Sequence, residues 1–236
     1  MIDVIRSGDM GQGDHGWLQS KSVFSFGDYY KSDRVRFGPL RVFNDDVIQP
    51  NEGFGLHPHR EMEIVTIMIE GTARHGDSTG DVHRIHAGEI QRISSGTGIE
   101  HFNYNDSATD PLRLLQIWFH PNQIGLSPSW EQRKFEQSDM RNLLTPVVSG
   151  AKRDRMLHIS QDTTLYMSVL GASQSLSFPQ NTERLTFFYV IKGEVLLNGD
   201  TSLNKGDAAQ ITHMDQLTMD AVQEAHFLII DLPPYP

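Results

Sequence analysis

No cysteine occurs in the 236 residues, which removes disulfide frameworks and thiolate metal sites at once. Cations are also scarce. Twenty Lys and Arg stand against 30 Asp and Glu, a formal charge of −10, and that balance argues against direct affinity for nucleic acid or an anionic membrane surface. No apolar run approaches the roughly 18 residues of a membrane-spanning helix. Residues 1–16 lack the apolar stretch of a secretion signal, and a cytoplasmic protein is the resulting expectation. Helix signals are thin as well: only residues 138–144 read as a helical turn, with Ser138 and Asp139 available to cap it. The length remains ample for one large β domain or two smaller ones.

What is present is β-type. Short runs rich in β-branched and aromatic residues recur at 40–43, 63–69, 112–119, 165–170, 186–191 and 227–232, and turn residues separate them. Asn198-Gly199 is a specific hairpin signal, because a type I′ turn needs two residues that tolerate positive φ. A faint internal repeat accompanies these runs. Glu70-Gly71 opens a hairpin in the first half and Lys192-Gly193 opens one in the second; Gly88-Glu89 and Gly206-Asp207 follow at corresponding places. Two tandem β-barrels are the economical reading, over residues 1–135 and 156–236. A linker at 136–155 carries Pro146, Gly150 and the basic run from Lys152 to Arg155.

The chemistry gathers in the first half. His57-Pro58-His59 places two imidazoles two residues apart, on one face of a strand, where they can converge on one ion. The glycine-rich turn at 96–98 then feeds a strand that starts Ile99-Glu100-His101 and offers a third histidine. Asn103 stands where a carboxylate would be the better fourth ligand. Glu63, four residues past His59, shares its parity and would face the same way if the strand were regular. Three imidazoles suit a divalent transition metal such as Fe, Ni, Cu, Mn or Zn. Counting back from Gly193, and on from Gly206, the second-half counterparts of these histidines are Pro179, Asn181 and Met219. None is a good ligand, so the site is expected in the first half alone. Phe54, Phe102, Phe43, Trp17 and Phe26 could line an apolar cavity for a flat aromatic substrate. The other histidines, including His75, His83 and His226, lack paired spacing and read as surface or core residues. Arg60 could steer an anionic substrate.

Several stretches taken together resemble a known family. They include Gly38-Pro39-Leu40-Arg41-Val42, Asn44-Asp45-Asp46, Gly55-Leu56-His57-Pro58-His59-Arg60, Met62-Glu63-Ile64-Val65-Thr66, His75-Gly76-Asp77-Ser78, Gly96-Thr97-Gly98-Ile99-Glu100-His101 and Leu115-Gln116-Ile117-Trp118. The arrangement looks like a cupin, and nearly the whole chain resembles the pirin family of bicupins. The resemblance implies an all-β fold of two jelly-roll barrels, with a metal held in the first by three histidines and a glutamate. Some bacterial members open the flavonol ring of quercetin with dioxygen; others bind protein partners as metal-dependent cofactors of transcription. The histidines carry over to His57, His59 and His101. The glutamate does not, because the family's His-x-Glu reads His101-Phe102-Asn103 here. An amide oxygen is neutral and a weaker donor than a carboxylate, so the shell loses one negative charge and tilts from Fe(II) or Mn(II) towards Ni, Cu or Zn. Asparagine also cannot accept the flavonol proton, which leaves Glu63 as the substitute base. A monomer is the default expectation for a chain whose two barrels can cover each other.

Overall fold

The computed structural model describes residues 1–234 except 79, 81 and 153; one residue of the predicted basic run, Arg153, therefore lies outside the described residues. The all-β expectation holds: among the described residues there is no α-helix, only two short 3-10 turns at Ser7–Asp9 and Gln137–Met140. No helix among the described residues is long and apolar enough to cross a membrane.

Four sheets make two barrels of the same design. In the first half a seven-stranded sheet runs Ser129–Lys134, Glu89–Ser94, Glu63–Glu70, Leu112–Phe119, Leu40–Ile48, Leu18–Ser22, Gly11–Asp14. A four-stranded sheet faces it, in the order Gly53–His59, Ile99–Asn105, Thr72–Asp77, Val82–His86. The second half repeats the four-stranded sheet as Ser175–Pro179, Gln216–Ala221, Glu194–Leu197, Thr201–Asn204. Its large sheet opens with Ile2–Ile5, Ala208–Ile211, Leu185–Lys192, Ala225–Leu232 and Thr164–Leu170.

The cross-strand registers place the internal repeat residue by residue. Thr66 pairs with Gln116 on one side and Gln91 on the other; Phe188, the same step before its hairpin glycine, pairs with Ile229 and Ala209. The equivalence also exposes an exchange. Ser129–Lys134 precedes the second half in the chain but pairs with Glu89–Ser94 of the first. Ile2–Ile5 precedes the first half but pairs with Ala208–Ile211 of the second.

The predicted linker is only partly one. Within 136–155, Thr145–Ser149 is a strand of the second large sheet, paired with Thr164–Leu170. Its Thr-x-Val-Val sequence favours a strand. Pro146, which in sequence marks a linker, is absorbed at a register shift between Pro146 and Val148, the kind of irregularity where a strand tolerates proline.

The two large sheets pack face to face. The largest apolar cluster therefore lies between the halves, with Phe24, Phe43, Val65, Leu115 and Ile117 against Phe187, Tyr189, Leu228 and Ile230. Strands buried on both faces read as continuous apolar runs, which is why 63–69 and 186–191 lack alternation. A polar clamp crosses the same interface: Arg113 reaches Asp45 through Nε at 2.9 Å and Nη2 at 2.7 Å, and the Tyr189 hydroxyl of the other half donates to Asp45 Oδ2 at 2.6 Å.

Candidate metal centre

The histidines are set by the pairing of two strands. Gly53–His59 is the edge of its sheet, so Pro58 can sit in it without costing a ladder bond. Gly53 is required there, because a Cβ would run into the backbone at Asn103 and Tyr104. The antiparallel register puts His101 directly opposite His57, and Ile99 opposite His59. All three imidazoles meet: their ring centroids lie 4.5, 4.7 and 4.8 Å apart in pairs. His101 Nε2 is 3.0 Å from His57 Nε2.

That contact bears on a metal. His57 Nδ1 donates to the Gly55 carbonyl at 2.7 Å, which fixes the tautomer and leaves the Nε2 lone pair facing the cluster. His59 Nε2 and His101 Nδ1 are buried with no hydrogen-bond partner. Burial and the neighbouring imidazoles push the His101 pKa down to about 2, and burial with His57 pushes that of His59 down to about 4. Neutral imidazoles are ligand-competent at neutral pH. Two nitrogens each about 2.1 Å from a common ion would lie about 3 Å apart at a right angle, so the residues present fit a metal. His57, His59 and His101 form the one three-residue group of potential His, Cys or acidic ligands among the described residues.

The other expected members fall out differently. Glu63 is not brought to the cluster. The chain turns between His59 and Glu63, with Glu61 at φ 51°, and Glu63 opens a strand of the large sheet, so the parity argument does not apply across the turn. It is buried and accepts a hydrogen bond from Ser94 Oγ at 2.7 Å; burial raises its pKa. Asn103 follows a register shift between His101 and Asn103. Its Oδ1 accepts a 2.9 Å hydrogen bond from His75 Nδ1. Phe43 belongs to the packing between the halves, not to a site cavity, because its parity on Leu40–Ile48 turns it to the inter-sheet face. Trp17 and Phe54 pack edge to face at 5.2 Å, with the Phe54 ring 6.3 Å from His57.

Two neighbours escape sequence reasoning. His75 is fully buried, its ring 5.4 Å from that of His101; Trp118 stands edge-on to His59 at 4.8 Å. The only sequence signal for His75 is its place on the hairpin strand that borders the His101 strand, where it registers opposite Asn103. A groove of 240 Å3 opens beside His59, between Arg60, Ser78, Gly98 and Glu100.

The two barrel interiors differ in kind. Thr66, Gln91 and Gln116 make the first one polar, with Thr66 Oγ1 donating to Gln116 Oε1 at 2.7 Å. Their counterparts Phe188, Ala209 and Ile229 join Met219, the counterpart of His101, in a closed apolar core. The second barrel has packed over the place where the first keeps a site.

The chain is similar to known proteins over nearly its whole length. The Pirin family profile matches residues 5–119, and that of the quercetinase C-terminal cupin domain matches residues 146–232. Quercetin 2,3-dioxygenase of Escherichia coli K12 is 39% identical over 234 residues, spanning 99% of this chain and 100% of that one. A pirin-like protein of Caulobacter vibrioides is 35% identical over 232 residues, spanning 98% and 99%. The crystal structure of YhhW from Escherichia coli superposes with a TM-score of 0.95 at 39% identity, covering 99% of this chain and 98% of that one. The same bacterial pirin in complex with nickel(II) gives 0.94 at 38%, covering 99% and 100%.

Proposed function

Since the chain belongs to the pirin family, we propose that it is a metal-dependent dioxygenase acting on flavonols of the quercetin type, with the metal held by His57, His59 and His101. One observation carries the reading: one ring nitrogen from each of the three imidazoles lies within 4.8 Å of the other two, with His57 oriented by the Gly55 carbonyl and His59 Nε2 buried without a hydrogen-bond partner. The relatives' quercetin dioxygenase names and the nickel complex of a close structural neighbour support the substrate class and the kind of ion. Such an ion, when bound, supplies the Lewis acidity that makes a flavonol hydroxyl acidic and the substrate reactive towards dioxygen.

The chain's own residues set the terms. Asn103 is the fourth ligand in this proposal: its Oδ1 accepts from His75 with one lone pair and keeps a second for the ion. The amide brings no charge and takes no proton. Glu63, buried against Ser94, does not face the histidines, so the flavonol proton leaves to solvent through the open groove beside His59, where Arg60 can attract the anion. Trp118 and Phe54 supply the apolar edges against which a flat ring system can lie.

Asn103 also favours a second reading, a regulatory pirin, metal-binding or metal-free, that contacts a protein partner and has no turnover. One experiment separates them. Protein purified without an affinity tag is analysed for bound metals, then assayed for loss of quercetin absorbance in air with and without added Fe, Ni, Cu, Mn or Zn. Near-stoichiometric metal with turnover, both lost in His101→Ala, is the expected result. Metal without turnover supports the regulatory reading. Neither metal nor activity after reconstitution refutes the dioxygenase reading and leaves a metal-free interaction module.

A further inference from the structure

A cavity of 360 Å3 lies between the halves, on the opposite side of the large sheets' strands from the histidine cluster. Its position follows from the repeat. Glu70 pairs across strands with Arg113 in the first half, and their counterparts Lys192 and His226 pair in the second. The two corners face each other across the approximate twofold axis, and the cavity fills the gap that they leave.

The walls divide into two chemistries. Ile69, Phe135, Met140, Met167 and Ile191 make an apolar floor. Arg113, Lys192, Lys205 and His226 stand at the rim against one carboxylate, Glu70. Behind the rim Asp45 neutralises Arg113, and Glu224 lies 3.8 Å from Lys192 but is already bonded to Arg141. A cationic rim is notable on a chain of net charge −10. His226 Nε2 is buried with no hydrogen-bond partner; burial, Arg113 and Lys192 push its pKa down to about 4, so it meets a ligand as a neutral imidazole.

We propose that this cavity binds a small amphipathic carboxylate, its apolar body on the methionine-rich floor and its carboxylate between Lys192, Lys205 and Arg113, within reach of His226. The volume suits one such molecule, and methionines adapt to irregular apolar shapes. The cations confer sign selectivity, because a carboxylate meets Arg113, Lys192 and Lys205 with charge-assisted hydrogen bonds whereas an ammonium finds one acceptor carboxylate, Glu70, against three cations. Nothing in this depends on the histidine cluster: it is a second site, formed only where both halves meet.

The test is calorimetric titration of the full chain with octanoate and with octylamine, which has the same tail and the opposite charge. Octanoate should bind at least tenfold more tightly than octylamine. The double surface variant Lys192→Glu/Lys205→Glu should weaken octanoate by at least tenfold, and Met167→Trp, which fills the floor, should abolish it. His57→Ala, which disables the metal cluster, should leave octanoate binding unchanged, so the outcome stands apart from the fate of the dioxygenase reading. Equal binding of the two probes, no effect of the charge reversal, or no heat with octanoate would overturn the proposal. The lysine pair is exposed, so its variant tests the rim even if Met167→Trp fails to fold.

Discussion

Replacing Asp46 by Asn should make this protein more stable at neutral and alkaline pH, by an amount that grows as the pH rises to about 7 and is constant above it. Asp46 projects into the first barrel beside Ser20, whose hydroxyl donates to it, and is only 3% exposed. Burial, with a smaller push from Asp45, raises its pKa from 3.8 to about 7 against the opposing Ser20 bond. Between those two values the folded protein holds a proton that the unfolded chain has released. Stability must therefore fall as pH rises across that window, by about 1.4 kcal/mol per pH unit for a full proton difference, and level off above it. The whole window corresponds to about 4 kcal/mol against the ionised state. Asparagine keeps the acceptor for Ser20 and does not titrate. Urea unfolding of both proteins at pH 4, 5, 6, 7 and 8 isolates the effect, since other titrating groups cancel in the difference. The variant's advantage should be smallest at pH 4 and reach several kcal/mol at pH 8. A difference that does not change with pH would refute the argument, because it would mean that Asp46 ionises in the folded state as it does in water.

Two other outcomes follow from the contacts. Tyr189→Phe removes the hydroxyl that donates to Asp45 across the interface without opening a cavity; a hydrogen bond to a charged group is worth about 1.5–3 kcal/mol, so thermal unfolding should begin lower by roughly 3–12 °C, with metal content unchanged. Asn103→Glu restores a carboxylate that the ring of His75 can still hydrogen-bond, and competition with a chelator should show metal held at least tenfold more tightly, on the scale by which shell partners alter affinity; an unchanged affinity would remove Asn103 from the ligand set.

Much of this was legible in the chain. The His-x-His pair and the glycine turn before His101 predicted the cluster because strand parity and antiparallel pairing are local rules. The repeat was legible from its hairpin glycines, and the registers of Thr66 and Phe188 place it residue by residue. Sequence reasoning failed where the chain leaves a strand. Glu63 shares parity with His59 only if no turn intervenes, and Glu61 makes that turn with positive φ. His75 reaches His101 through a neighbouring strand, a relation that no spacing within one segment reveals. Phe43 was assigned to a pocket because an aromatic residue fits a cavity or a core equally well; the partner that decides the matter, Phe187 at 4.8 Å, is more than a hundred residues away. Thr145–Ser149 was hidden by Pro146, whose usual meaning as a breaker was cancelled by the register shift.

The strand exchange between the halves has a temporal side. Ile2–Ile5 leaves the ribosome long before its partner strand Ala208–Ile211; the neighbouring contact between Arg6 and Asp207 spans 201 positions. At roughly 5–20 residues per second of synthesis, this β-competent segment waits on the order of ten seconds or more for its place. Ser129–Lys134, by contrast, finds Glu89–Ser94 already made. The first barrel can thus close during synthesis while the second needs a strand made about 200 residues earlier, like a clasp whose first hook is fastened last. The halves are therefore unequal: residues 1–135 hold every strand of the first large sheet, whereas a fragment coding for 156–236 alone would encode a sheet without Ile2–Ile5 and Thr145–Ser149.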